Sequence, residues 1–325
     1  MAKNVAVITG IDGQDGAYLA RFLVAKGYSV VGLARSTTKK SLERLLYLDV
    51  LSDVILVKGS IDDQKKIAKI LRTYQPREWY NFAGQSSVTQ SWEAPAETLT
   101  TNFNATMAIL ENIRLLSPAT RFFNPSSAQM YGNSEKSITE RSYRFEPPNP
   151  YALSKAAAHW GVHIAREHYG TYAVNGILFN HESPLRQANF VTKKICQGVV
   201  AIAMGEAARI EVGDLSVRRD WGFAGDYVEA MWLMLQQQKP TDAVICTGIT
   251  RSLADFAAEA FRVAGVKVWK NRIIQKKEFI RKDEIKEMKG SNQAIKKMGW
   301  MPRTSFKELV EMMITYEFEQ LKKSR

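Results

Sequence analysis

The sequence predicts an α/β protein, a doubly wound parallel sheet with a smaller C-terminal lobe. Three observations carry that reading. Through the first 125 residues, short apolar runs alternate with amphipathic stretches. The runs are almost continuously apolar, which is the pattern of parallel strands buried on both faces. The first of them breaks directly into a glycine-spaced turn, TGIDGQDGAYL at 9–19. A length of 325 residues suits one large α/β unit carrying a second lobe.

Taken in order, NVAVIT (4–9) reads as the first strand and Asp15 to Lys26 as a helix that Gly27 ends. YSVVGLA (28–34) and DVILVKG (53–59) are strands two and three, followed by a helix from Ile61 to Tyr74. EWYNFAG (78–84) is the fourth strand, Ala94 to Leu116 one long helix, and RFFNPS (121–126) the fifth strand. The next helix carries PYALSKAAAHW and runs to about Tyr169, and AVNGILF (173–179) returns as a strand. From about Asn180 the alternation loosens, and a basic loop in HESPLRQANFVTKK enters a helix. Helix 226–238, strand 243–246 and helix 252–265 follow, then a charge-rich stretch at 270–290 and a closing helix from Phe306 to about Lys322. The expected division gives 1–180, with a return of 220–250, to the nucleotide-binding unit. The lobe takes 181–219 and 251–325.

With 45% hydrophobic and 24% charged residues, the chain can bury a sizeable core. No apolar stretch approaches the roughly 18 residues that span a bilayer, and the opening run is too short for a signal-peptide core. Cys196 and Cys246 form no pattern of pairs, so they read as structural thiols in a reducing, cytoplasmic setting. His159, His163 and His168 share a helix without carboxylate or cysteine partners, so no metal site is expected. The formal charge of +12 comes without a basic–aromatic stripe or a long basic tail. That points to anionic small nucleotides before nucleic acid.

Gly10, Gly13 and Gly16 sit between the first strand and the first helix. In a Rossmann-type turn the first glycine permits the bend, the second lets a pyrophosphate approach, and the third lets helix pack on strand. The helix N-terminus then offers its free N–H groups to the phosphates, with Gln14 and Asp15 in the same turn. After the second strand comes GLARSTTKK, with no carboxylate to receive a ribose 2′-hydroxyl. Arg35 and Ser36 suit a 2′-phosphate, so the expected cofactor is NADP rather than NAD.

Tyr151 and Lys155 are spaced i, i+4, so both face one side of their helix. A nearby ammonium is expected to lower the phenol's pKa toward the working range. Ser127, at the end of the fifth strand, supplies a hydroxyl to orient the substrate oxygen. Ser126 is its neighbour, and strand alternation points one of the two inward.

This combination resembles the extended short-chain dehydrogenase/reductase superfamily over essentially the whole chain. ITGIDGQDGAYL, YNFAGQSSV, GILFNHESP, NFVTKKI, RRDWGFAGDYVEAMWLML and MGWMPR resemble, more narrowly, the GDP-mannose 4,6-dehydratase family. That resemblance implies a GDP-hexose substrate and a homodimer or homotetramer, in which the basic loops 35–40 and 185–194 could share a cofactor phosphate. It implies substrate contacts for Asn180, Asn189, Lys194, Arg219, Arg281 and Glu284. It also implies a redox cycle. Tyr151 takes the C4 hydroxyl proton as hydride leaves C4, a carboxylate removes the C5 proton, water leaves C6, and the hydride returns to C6.

The family's strand end reads Ser-Thr-Ser-Glu-x-Tyr/Phe-Gly. Here it reads Ser126-Ser127-Ala128-Gln129-Met130-Tyr131-Gly132. Gln129 keeps the shape of the family's catalytic glutamate but not the base, a loss that typically costs about 10²–10⁴ in rate. Ser60 likewise stands where many relatives have an aspartate near adenine. Dehydration of GDP-mannose therefore competes with chemistry confined to C4, as reductase, oxidase or 4-epimerase. A catalytically silent sugar-nucleotide binder is a further alternative, against which the intact Ser127, Tyr151 and Lys155 speak.

Overall fold

The computed structural model describes residues 4–134, 136–280 and 284–323. Among the described residues the chain forms twelve strands. They are β1 (Val5–Thr9), β2 (Ser29–Ala34), β3 (Val54–Lys58), β4 (Glu78–Asn81), β5 (Arg121–Ser127) and β6 (Ala173–Leu178). After these come β7 (Asn180–Glu182), β8 (Ile210–Val212), β9 (Arg218–Phe223), β10 (Ala243–Ile245), β11 (Thr250–Ser252) and β12 (Ile273–Gln275). Seven of them make one sheet in the order β10-β6-β5-β4-β1-β2-β3, every neighbouring pair parallel.

The pleat of β1 explains why its run is apolar throughout. Ala6 and Ile8 face one core with Leu19 and Leu23 of the helix Gln14–Ala25 and Met231 and Leu235 of the helix Ala224–Gln236. Val7 faces the opposite core with Ile67, Ile109 and Val162, from three helices on the other side. From β1 the chain builds outward through β2 and β3, then returns to place β4 on the other flank of β1. That reversal opens a crevice beyond Thr9 and Asn81, at the carboxyl edge where ligands seat in such sheets.

The second core lies apart. Val199 and Val200 of the helix Val191–Ala203 meet Phe256 and Phe261 of Leu253–Val263 and Met313 and Ile314 of Phe306–Lys323, with Trp221 of β9 among them. A three-stranded sheet, β11-β9-β7, and the pair β12-β8 belong to this end of the chain. Among the described residues, no helix is long and apolar enough to cross a membrane.

The expected single helix Ala94–Leu116 is interrupted. It runs as Pro95–Leu99, a π turn at Thr100–Asn104, and then Ala105–Leu116. The wide turn presents Asn102, whose side chain bonds the Gln85 backbone in both directions (2.8 and 2.9 Å) and Ser154 of the next helix (2.9 Å). Such bulges recur at functional sites. Short helices at Glu43–Tyr47 and Val88–Glu93 were not expected from the sequence.

Candidate active site

The turn after β1 leaves no room for a side chain at Gly10 or Gly16. Gly10 has φ +67°, and a Cβ there would stand 2.8 Å from the Ala83 nitrogen. A Cβ on Gly16 would stand 2.3 Å from the Gly10 carbonyl oxygen, so helix and strand touch backbone to backbone. Gly13 caps the helix, its amide donating to the Gly10 carbonyl at 2.9 Å. The helix N-terminus therefore opens on a cleft of about 420 Å³, lined by Gly10, Gly13, Gln14, Asp15, Gly16 and Arg35. Bare backbone and a positive helix end fit the phosphates of a dinucleotide. Ser36 is turned into its own loop, 3.3 Å from the Thr38 hydroxyl. On the far wall, Ser60 donates to Asp62 at 3.0 Å, and both line the cleft, so Asp62 supplies a carboxylate that position 60 lacks.

A smaller cavity of about 170 Å³ adjoins the cleft, sharing Asp15, Phe82 and Arg186 with it. Its wall is the helix Pro150–Tyr169, started by Pro150 at its first position and by Asn149, whose side chain accepts from the Ala152 amide at 2.9 Å. Tyr151 and Lys155 face the cavity one turn apart. Ser127 lines the same cavity and acts to lower the Tyr151 pKa. Lys155 Nζ donates to the Pro125 carbonyl at 2.9 Å. Ser126 is held elsewhere, 3.0 Å from His159 Nδ1, a ring that burial holds neutral with its pKa down to about 4. Ser127 is thus the serine beside Tyr151.

The expected lowering of the phenol does not occur. Burial raises the Tyr151 pKa and outweighs the opposing effect of Ser127. Lys155 spends a donor on Pro125, and its Nζ lies 5.9 Å from the Tyr151 ring centre. Burial brings Lys155 itself down to about 8, with Asp15 pulling the other way.

Gln129 sits on the 3-10 turn Ala128–Tyr131 that follows β5, and it lines the same cavity. Its backbone N–H donates to Ser127 Oγ at 3.3 Å. Among the described residues lining this cavity, Asp15 is the single carboxylate, and it is committed to His181, whose Nε2 lies 2.9 Å away. Burial pushes Asp15 up, but His181 and Gln14 overcome it and hold the carboxyl at about 2.

The profile of the GDP-mannose 4,6 dehydratase family matches residues 7–313. GDP-mannose 4,6 dehydratase 1 of Arabidopsis thaliana is 39% identical, covering 99% of this chain and 92% of its own. The chain belongs to the GDP-mannose 4,6-dehydratase family. Solved structures agree on the fold. The dTDP-glucose 4,6-dehydratase DesIV of Streptomyces venezuelae, with NAD and TYD bound, superposes with a TM-score of 0.84 at 21% identity, covering 98% of each chain. RMD from Pseudomonas aeruginosa, complexed with NADPH, gives 0.82 at 21% identity over 98% of this chain and 100% of its own.

Of the residues that the family resemblance marks for substrate, two line the cavities, and Lys194, Arg219 and Glu284 line neither. Asn180, on β7, lines the catalytic cavity, whereas Asn189 lines the dinucleotide cleft. Lys194 is exposed, its Nζ 4.2 Å over the Phe279 ring. Arg219 donates to Glu284 at 2.8 Å. Arg281 lies outside the described residues. Three cavity residues of this family member escaped the sequence reading. Arg186 lies at the junction of the two cavities, 3.1 Å from the buried Glu182. Arg44 lines the cleft and donates to the carbonyls of Leu185 (2.9 Å) and Asp12 (3.2 Å). His181 lies beside Asn180. The basic residue in HESPLR was the one available signal.

Proposed function

We propose that this chain is a GDP-mannose 4,6-dehydratase, converting GDP-mannose to GDP-4-keto-6-deoxymannose with NADP. The observation that carries the reading is Ser127, Tyr151 and Lys155 meeting at the mouth of the glycine cleft in a chain that matches the family almost end to end. Gly10, Gly13, Gly16 and the helix amides behind them would hold the dinucleotide's pyrophosphate, and Arg35 its 2′-phosphate. When bound, that dinucleotide supplies a hydride acceptor at C4 and later a hydride donor at C6. Tyr151 accepts the C4 hydroxyl proton, Ser127 orients the C4 oxygen, and Lys155 sets the charge beside them. Asn180, Lys194, Arg219 and Glu284 would hold the sugar nucleotide. A homodimer or homotetramer fits the basic loops 35–40 and 185–194, which flank the cleft.

Gln129 favours a second reading, chemistry confined to C4. A glutamine amide takes no C–H proton at neutral pH, and Asp15 is engaged with His181. Incubation with GDP-mannose and either NADP⁺ or NAD⁺, followed by product mass, separates the two. Loss of one water supports dehydration. An unchanged mass with inverted C4, or accumulation of reduced cofactor, supports the C4 reading. No change with GDP-mannose and either oxidised cofactor, and none with a 4-keto GDP-sugar and NADPH, would sink both.

A further inference from the structure

His181 is surrounded by acceptors. Nδ1 lies 2.8 Å from the Phe179 carbonyl oxygen and Nε2 lies 2.9 Å from an Asp15 carboxylate oxygen. A carbonyl and an ionised carboxylate only accept, and a neutral imidazole has one N–H to give. Both contacts are satisfied when the ring carries two protons. The N–H that Gln14 gives the other Asp15 oxygen at 3.0 Å favours the ionised carboxylate and so the proton on the ring. The ring is also fixed in place, stacked on Tyr227 with centroids 4.8 Å apart and planes at 27°. The strand around it is tied to the same helix turn. Gln14 donates to the His181 carbonyl at 3.2 Å and accepts from the Ser183 hydroxyl at 2.8 Å.

We propose that His181 is a positioning residue, a standing imidazolium that cancels the charge of Asp15 beside Tyr151 and Lys155 and locks the substrate strand β7 to the glycine-turn helix. Without that cation, Asp15 would be an unbalanced carboxylate in the wall of the catalytic cavity. It would oppose the phenolate that the C4 step requires, since the Asp15 charge acts to raise both Tyr151 and Lys155. Three elements pack charged or titratable groups against the ring. Asp15 comes from the glycine-turn helix and favours its charge. Arg186 follows β7 and opposes it, and Tyr227 of the helix Ala224–Gln236 stacks on it. The short ion pair prevails, and the His181 pKa is raised against its burial. The effect on the C4 step rests on the activity proposed above, whereas the charge state of His181 does not.

Two measurements test the proposal. With four histidines in the chain, imidazole NMR of the ligand-free protein can be resolved residue by residue. His181 is expected to keep both N–H protons at pH 7, and a neutral tautomer there overturns the proposal whatever the enzyme does. The second arm follows conversion of GDP-mannose by product mass against pH in His181→Asn, Asp15→Asn and the double variant, each checked for folding by its melting transition. His181→Asn is expected to move the acid limb of the profile up by about one pH unit, the size of shift that one nearby charge produces. At pH 7 that is a loss of about tenfold. The double variant should return the limb to its original position. Equal losses in the single and double variants, with the limb unmoved, would reduce His181 to a structural role and defeat the proposal. If the wild-type protein converts no GDP-mannose at any pH, the activity reading fails, and the NMR arm still decides the charge.

Discussion

The dinucleotide half of the site and the sugar half are made of different material. The first is backbone, with Gly10, Gly13 and Gly16 so close to their neighbours that the cradle admits no added carbon at Gly10 or Gly16. The second is side chain, and two of its described arginines already have partners: Arg219 with Glu284 at 2.8 Å, and Arg186 with Glu182 at 3.1 Å. A backbone cradle is formed before its ligand arrives. Paired side chains must instead exchange one partner for another, so affinity there is a difference between two sets of contacts. Gln129 and the Asp15–His181 pair sit at the seam between the halves.

The largest expected effect lies at that seam. Gln129→Glu should raise water loss from GDP-mannose by about 10²–10⁴-fold, the usual worth of a positioned base. A well-folded variant with no gain would show that position 129 is not where the C5 proton is handled. Gly16→Ala should push the helix off the strand and weaken dinucleotide binding by about 10²-fold, as misplacements of about 1 Å do. Titration calorimetry would read this, and unchanged affinity would mean that the cradle bends to admit the added methyl group. Arg219→Ala should weaken GDP-mannose binding by roughly 10- to 100-fold, in line with about 1.5–3 kcal/mol for a hydrogen bond to a charged group. Dinucleotide binding should be untouched, and an equal loss of both would erase the contrast between the halves.

Stability against pH sharpens the comparison at smaller scale. Asp15 is held at about 2, below its ordinary 3.8. Its contribution is complete above 3.8 and is lost as pH falls through 2. His181 is raised above its ordinary 6.5, so its contribution is complete below 6.5 and fades as pH rises through the elevated value. Thermal melts should therefore weaken at both ends, and Asp15→Asn should flatten the acid side. Smallest is Asn149→Ala, expected to cost about 1 kcal/mol through the lost cap of the catalytic helix, without altering dinucleotide affinity.

What could be read from sequence was what depends on near neighbours. The glycine spacing, Tyr151 with Lys155, and Ser127 at a strand end all rest on local periodicity, and each lands at one sheet edge. The pairings that arm the site are remote. Asp15 and His181 stand 166 positions apart, and Arg219 and Glu284 stand 65 apart. No spacing rule joins them until the sheet brings them together. The phenol's pKa was misjudged because spacing placed a lysine nearby without showing how deeply the fold would bury the phenol. The helix over 94–116 read as continuous because one wide turn barely disturbs an apolar stripe.

That turn has a consequence for how this site can vary. The Thr100–Asn104 π turn carries one residue more than an α-helix would, so the helix before it and the helix after it are out of phase by one position. Each residue of an α-helix advances the azimuth by about 100°. Removing any one residue between 100 and 104 would restore an unbroken helix and swing Asn102 away from Gln85 and Ser154. Substitutions at the exposed positions of this segment leave that phase alone, whereas a single deletion resets it. Drift here is therefore permitted in identity and forbidden in count.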